Sequence, residues 1–159
     1  MVKCHHEVKL NTKSIRVWEF IEDWSNWVEI VPGYQEHQIV SNEESIWKIH
    51  GEVGTFKKDT HIHVRILEIK APSSILFTVD ALNEQCLGKG SLHVKSFNQN
   101  DTIMSGNMEL TIKGWKGTMV YPIVKQLLPK ILEDFMEKIS TKIEKPSKLQ
   151  RSMRVNIPI

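Results

Sequence analysis

The sequence predicts one α+β domain: a strand, two short helices, about six antiparallel strands and a long C-terminal helix. Three observations carry this. Between Tyr34 and Lys113, segments of strand length are rich in Ile, Val, Thr, Phe and Trp and are joined by short polar turns. From Gly117 to Ile143 the apolar residues switch to helical steps of four. No strand–helix–strand alternation and no internal repeat appears.

Residues 3–10 read as the first strand, closed by the turn and N-cap residues Asn11, Thr12, Lys13 and Ser14. Ile15, Trp18 and Ile21 then follow helical spacing, with Val17 and Phe20 beside them. A second helical turn or two covers Trp24 to Ile30, stopped by Pro32-Gly33. Strands are expected over 34–42, 45–54, 55–70, 74–82, 87–98 and 102–113. Trp47, Ile49 and Val53 share one face of their strand, as do Ile62, Val64 and Ile66, and Met104, Met108, Leu110 and Ile112. The opposite faces carry Lys48, His50 and Glu52, then His61, His63 and Arg65, then Asn107, Glu109 and Lys113, so one face meets a core and the other meets water. The segment 55–70 is long enough to require bending, with Gly51 and Gly54 as places to begin a curl and Gly88, Gly90 and Gly106 as flexible points later. The concave face of such a sheet needs a filler. The stripe Ile123, Leu127, Ile131, Phe135 and Ile139, widened by Val124, Leu128, Leu132, Met136 and Ile143, supplies one. Pro122 and Pro129 inside this pattern predict a kink or an irregular first turn.

At 159 residues, 40% hydrophobic and 25% charged, the chain has an ordinary one-domain composition. A formal net charge of +2 gives no field that favours nucleic acid. The first seven residues lack the pattern of a secretory signal, and no apolar run is long enough to span a bilayer. Cys4 and Cys86 show neither metal-ligand nor redox spacing and are expected to be reduced. A cytoplasmic protein, with membrane association as an option, is the expectation. Residues 145–159 differ in character: Lys145, Lys148, Arg151 and Arg154 stand among Leu149, Met153, Val155, Ile157 and Ile159 with no acid. We divide the chain into a domain over 1–144 and this basic tail, which could touch an anionic membrane or a partner protein.

The chemistry-bearing residues form no catalytic constellation: there is no nucleophile elbow, zinc-protease helix or phosphate loop. His61 and His63 share a strand face, but with Lys57, Asp59 and Arg65, which marks it as solvated; His50 and His93 join only if their strands lie in register. Cys4, His5 and His6 alternate in direction along their strand. Glu36, Glu52, Asp80 and Glu109 are the acid–base candidates, of which Glu52 and Glu109 face outward by parity. No metal or cofactor is expected.

The run Val17-Trp18-Glu19-Phe20-Ile21, then Val31-Pro32-Gly33, then the strand block and the closing helix, resembles the START-like (SRPBCC) superfamily with its helix-grip fold. The Val-Trp pair, the Val-Pro-Gly at the start of the second strand and the Gly88-Lys89-Gly90 strand are similar to the carbon monoxide dehydrogenase G-subunit family. The resemblance covers roughly residues 2–143. It implies a curved sheet of about seven strands wrapped around the C-terminal helix, with an apolar cavity between them that holds lipids, polyketides or isoprenoid quinones. Some members of the superfamily are polyketide cyclases or hydrolases, and relatives in the carbon monoxide dehydrogenase group are associated with assembly or membrane attachment of molybdenum hydroxylases.

On that basis the expected ligand-binding residues are Trp24, Trp27, Trp47 and Trp115 as broad walls, with Phe56 beside them. Ile62, Val64, Phe77, Met108 and Leu110 line the sheet, and Leu128, Ile131 and Phe135 line the helix. Entry is expected near Trp24–Gly33 and Gly114–Pro122. The first functional expectation is a non-catalytic carrier of a hydrophobic small molecule. An assembly or membrane-recruitment factor for a redox enzyme, acting through the basic tail, is the second, and a polyketide cyclase/dehydrase-like enzyme the third.

Overall fold

The computed structural model describes residues 1–53, 55–81, 86–113 and 115–145; the side chains of Val53, Phe56 and residues 115–120 lie outside this description. The elements run β1 (Val2–Leu10), α1 (Ser14–Ile21), α2 (Ser25–Val28), β2 (Tyr34–Ile39), β3 (Glu44–Val53), β4 (Phe56–Lys70), β5 (Ser74–Ala81), β6 (Cys86–Ser96), β7 (Thr102–Ile112) and α3 (Trp115–Glu144). All seven strands form one antiparallel sheet in the order β1-β7-β6-β5-β4-β3-β2. The chain thus lays down one edge strand, crosses over with α1 and α2, and returns by hairpins until β7 pairs with β1.

The hairpins follow from local chemistry. Asn98 turns β6 into β7 because its side-chain Oδ1 accepts the amides of Asn100 and Asp101, both at 2.8 Å. Serine does the same more weakly between β2 and β3, where Ser41 Oγ accepts the Glu43 amide at 3.2 Å. Irregular register between Tyr34 and Glu36 breaks the edge strand β2, and another between Ile66 and Glu68 bends β4.

Alternation places Val8, Leu10, Trp47, Val64, Ile66, Ile75, Phe77, Leu92, Val94 and Met104 on the buried concave face. α3 crosses it over β1 and β7, with Leu132, Phe135, Met136, Ile139 and Ile143 in the core. This is the expected helix-grip arrangement. α1 adds Val17, Trp18 and Ile21, and α2 adds Trp27 and Val28. At the α1 end the core is stitched by Thr102 Oγ1, which donates to the Thr12 carbonyl at 2.6 Å in a fully buried position.

One expectation is revised. Steps of four do not keep pace with 3.6 residues per turn, so the stripe Ile123–Leu127–Ile131–Phe135–Ile139 winds off the buried face. The face that packs runs Leu128, Leu132, Phe135, Ile139, Ile143, and Ile131 is 39% exposed. Pro122 and Pro129 lie within one continuous helix, both exposed to solvent, where water reaches carbonyls that lose an amide donor. The tail expected over 145–159 lies, apart from Lys145, outside the described residues.

Candidate functional site

Glycines on the concave floor decide how the interior is filled. A Cβ on Gly90 would stand 2.2 Å from Phe77 Cζ and 2.6 Å from Met108 Sδ, and one on Gly88 would stand 2.4 Å from Leu110 Cδ2. A Cβ on Gly106 would meet Met136 Sδ at 2.8 Å. These positions are therefore places where long side chains lie flat across the sheet, beyond the flexible points the sequence suggests.

Above this floor sits Trp27 of the single-turn helix α2. It is 1% exposed, and its ring centroid lies 5.9 Å from Trp47, 5.8 Å from Phe77 and 5.8 Å from Phe135. The arrangement with Trp47 is edge-to-face, at 85°. Trp27 Nε1 donates to the Ile21 carbonyl at 2.9 Å, which fixes the indole in place from α1. The chain reaches this point through Gly33, whose φ of +83° lets its carbonyl accept the His50 amide of β3 at 2.8 Å. Trp24–Gly33, expected as an entry segment, is thus seated in the core through Trp27, Val28, Ile30 and Val31.

The concave face has two halves. Beneath α1 and the C-terminal half of α3 it is fully buried. Toward the other end Ile49, Ile62, Val79 and Met108 are only half-buried, packed against the edge of the core cluster. Register supports the grouping: Trp47 faces Ile62, Val64 faces Val79, and Met108 faces Gly90 and Cys4. Cys4 shares this half; burial pushes its thiol pKa up, and a hydrogen bond from the Met108 backbone opposes this.

The structure sorts the expected ligand residues. Trp27, Trp47, Phe77 and Phe135 meet in one ring cluster, with Val64 buried in the same core. Ile62 and Met108 border it at the half-open end; Leu110 is half-buried beyond it. Leu128 is buried apart from that cluster. Trp24 packs against the cluster at the β2–β3 end: its Nε1 donates to the Asn42 carbonyl at 3.2 Å and its ring meets His37 edge-on. Ile131 lies one turn before Phe135 on the same side of α3, exposed. Trp115 opens α3, but its side chain lies outside the described residues, as does that of Phe56. Sequence reasoning misses Ile49, Val79 and Cys4 as lining residues, although alternation along β3 and β5 already puts Ile49 with Trp47 and Val79 with Phe77.

Apart from His6, whose Nε2 meets Glu137 Oε1 of α3 at 3.2 Å, the paired histidines and the acid–base candidates lie on the outer face or the exposed edge. His50 is held by Glu52 (Nε2 to Oε1, 2.9 Å) and by Asp59 (Nδ1 to Oδ1, 2.5 Å). These hydrogen bonds, Glu52 first, raise the His50 pKa, and that to His50 lowers the Asp59 pKa. His63 and Arg65 share Glu44 at 3.2 and 3.0 Å. Asp80 and Glu109 line an outer groove with Lys89 and Thr111, and Glu36 is exposed on β2. No group of three metal-ligating side chains has binding geometry among the described residues, and no described helix is long and apolar enough to cross a membrane.

A family model matches residues 1–146. No curated protein matches the sequence. Solved structures do match in fold. A conserved protein from Geobacillus kaustophilus superposes with a TM-score of 0.76 at 14% identity, covering 89% of this chain and 95% of that one. The Zhui aromatase/cyclase from Streptomyces sp. R1128 gives 0.66 at 11% identity, covering 89% and 93%. Norcoclaurine synthase from Thalictrum flavum, in complex with dopamine and hydroxybenzaldehyde, gives 0.63 at 15% identity, covering 92% and 88%.

Proposed function

We propose, for a chain that belongs to the START/Bet v 1-like (SRPBCC) superfamily, that it binds a hydrophobic small molecule between the half-open end of its sheet and α3 and acts as a carrier. The observation that carries this is the strip Ile49, Ile62, Val79 and Met108, half-buried beside a closed ring cluster, with Ile131 exposed on the Phe135 side of the helix. A ligand laid there covers apolar surface from both elements, at about 25 cal/mol per Å2. The solved enzyme of similar fold in complex with dopamine and hydroxybenzaldehyde supports a small-molecule site of this kind.

The carrier reading is favoured over a cyclase because Glu36, Glu52, Asp80 and Glu109, the acid–base candidates, lie on the outer face or exposed edge, away from the strip. A recruitment role for a redox enzyme rests on the basic tail, which lies almost wholly outside the described residues; the comparisons reach the superfamily and stop short of the carbon monoxide dehydrogenase group.

Ile131→Glu tests the site without disturbing the core, since the side chain is already exposed. Binding of N-phenyl-1-naphthylamine, followed by its fluorescence, is expected to weaken about tenfold or more as a carboxylate enters the apolar cleft, with the melting temperature unchanged. Unaltered affinity would remove Ile131 and this cleft from the binding site. Native mass spectrometry of protein taken from its own host then identifies the cargo class.

A further inference from the structure

One buried polar atom is left without a partner. Trp47 is 6% exposed, and among the described residues its Nε1 alone is a buried side-chain donor or acceptor with no hydrogen bond. Other buried groups show how such donors are otherwise satisfied. Trp27 Nε1 donates to the Ile21 carbonyl at 2.9 Å, Ser45 Oγ to the Gln38 carbonyl at 3.0 Å, and Ser140 Oγ to the Glu137 carbonyl at 2.9 Å. A buried N–H without an acceptor is costly, and phenylalanine would fill a similar space without that cost. Trp27 lies against it edge-to-face, a contact that supplies no oxygen or nitrogen acceptor.

We infer that Trp47 Nε1 donates its hydrogen bond to a neutral oxygen, a carbonyl or ether, on the hydrophobic molecule bound in the neighbouring cleft. The inference rests on the cleft being the ligand site and adds the polar group its ligand carries. The side chains around Trp47 are Ser45, Ile49, Ile62 and Val64 and, directly across on β2, His37, and the rings against Trp27 are Phe77 and Phe135. None is a lysine, arginine or carboxylate; the Ser45 hydroxyl is already committed to Gln38, and His37 Nδ1 to the Tyr34 hydroxyl at 2.7 Å. A carboxylate brought here would be desolvated with no lysine or arginine among these side chains to meet it, so the acceptor is uncharged. Trp47 borders Ile49 and Ile62, both in the half-buried strip.

Two probes of matched planar shape test this: 2-acetylnaphthalene, which carries a carbonyl, and 2-isopropenylnaphthalene, which replaces its oxygen by CH2. Each is titrated into 15N-labelled full-length protein and followed by the indole N–H signals. The ketone is expected to bind about tenfold more tightly and to move the Trp47 indole proton downfield; in Trp47→Phe the two probes should bind alike. Should that variant not fold, assignment by through-space contacts leaves the wild-type comparison decisive. Equal wild-type affinities with an unmoved Trp47 signal overturn the donor role and leave the cleft standing. Failure of both probes to bind overturns the cleft and the donor role together.

Discussion

Gly90→Ala adds one methyl group to the floor of the interior, and the structure fixes what that methyl meets. Its carbon would stand 2.2 and 2.4 Å from Cζ and Cε2 of Phe77 and 2.6 Å from Met108 Sδ, where about 3.5–4.0 Å is a comfortable separation. The Phe77 ring would have to retreat by more than about 1 Å, yet Trp27 stands behind it at 5.8 Å between centroids. Overpacking of this kind costs about 2–3 kcal/mol. Loss of glycine freedom in the unfolded chain returns about 0.5–1 kcal/mol, leaving a net destabilisation of about 2 kcal/mol. For a chain of this length that lowers the melting temperature by about 4–8 °C. Urea unfolding followed by tryptophan fluorescence reads the same quantity. Phe77→Leu alone should cost about 1–2 kcal/mol, and in the double variant the penalties should be well short of additive, because leucine vacates the space the new methyl needs. A Gly90→Ala protein within about 0.5 kcal/mol of wild type, or strictly additive penalties, would show that Phe77 does not lie across Gly90.

Gly33→Ala should be more damaging. It combines a φ of +83° with a Cβ placed 2.1 Å from the His50 carbonyl oxygen, and a loss of about 2 kcal/mol or more is expected in the same unfolding assay; wild-type stability would refute the docking of Gly33 on β3. His50 and Asp59 give a pH window. The raised His50 pKa makes its contribution complete below its unfolded value of about 6.5 and lost as pH climbs through the folded value. The lowered Asp59 pKa makes its contribution present above about 3.9 and lost as pH falls through the folded value. The β3–β4 hairpin is therefore held most firmly between those limits. An NMR titration should place His50 above 6.5 and bring it down in Asp59→Asn; an ordinary midpoint unmoved by that change would contradict the pairing.

The strands and the closing helix are legible because alternation and helical period are local: Trp47–Ile49, Ile62–Val64–Ile66 and Met104–Met108 keep the faces their spacing assigns. The site is less legible because it is made by contacts between distant segments. Trp27 sits on a helix too short to show a period, and its partners come from β3, β5 and α3. Ile131 looks central when steps of four are counted as a straight line, whereas the helix turns about 40° past it at each step. Trp24, one helical turn from Trp27 in sequence, packs at the border of the cluster and ties itself to a hairpin carbonyl, a hydrogen bond that spacing does not reveal. Glycines on β6 and β7 signal flexibility in sequence; only the rings and thioethers above them disclose that the space is already taken.

The two edges of the sheet bear on how this protein behaves among copies of itself. β2 is six residues long, loses register at Tyr34/Glu36 and presents Gln35, Glu36, His37 and Gln38. The opposite border, β1, alternates Lys3, His5, Glu7 and Lys9 along its outer side. Interrupted pairing on one border and ionic side chains along the other make poor templates for an incoming strand. A protein whose apolar interior is half-open at one end of the sheet thereby avoids offering its backbone as well, and sideways polymerisation is discouraged at both edges of the sheet.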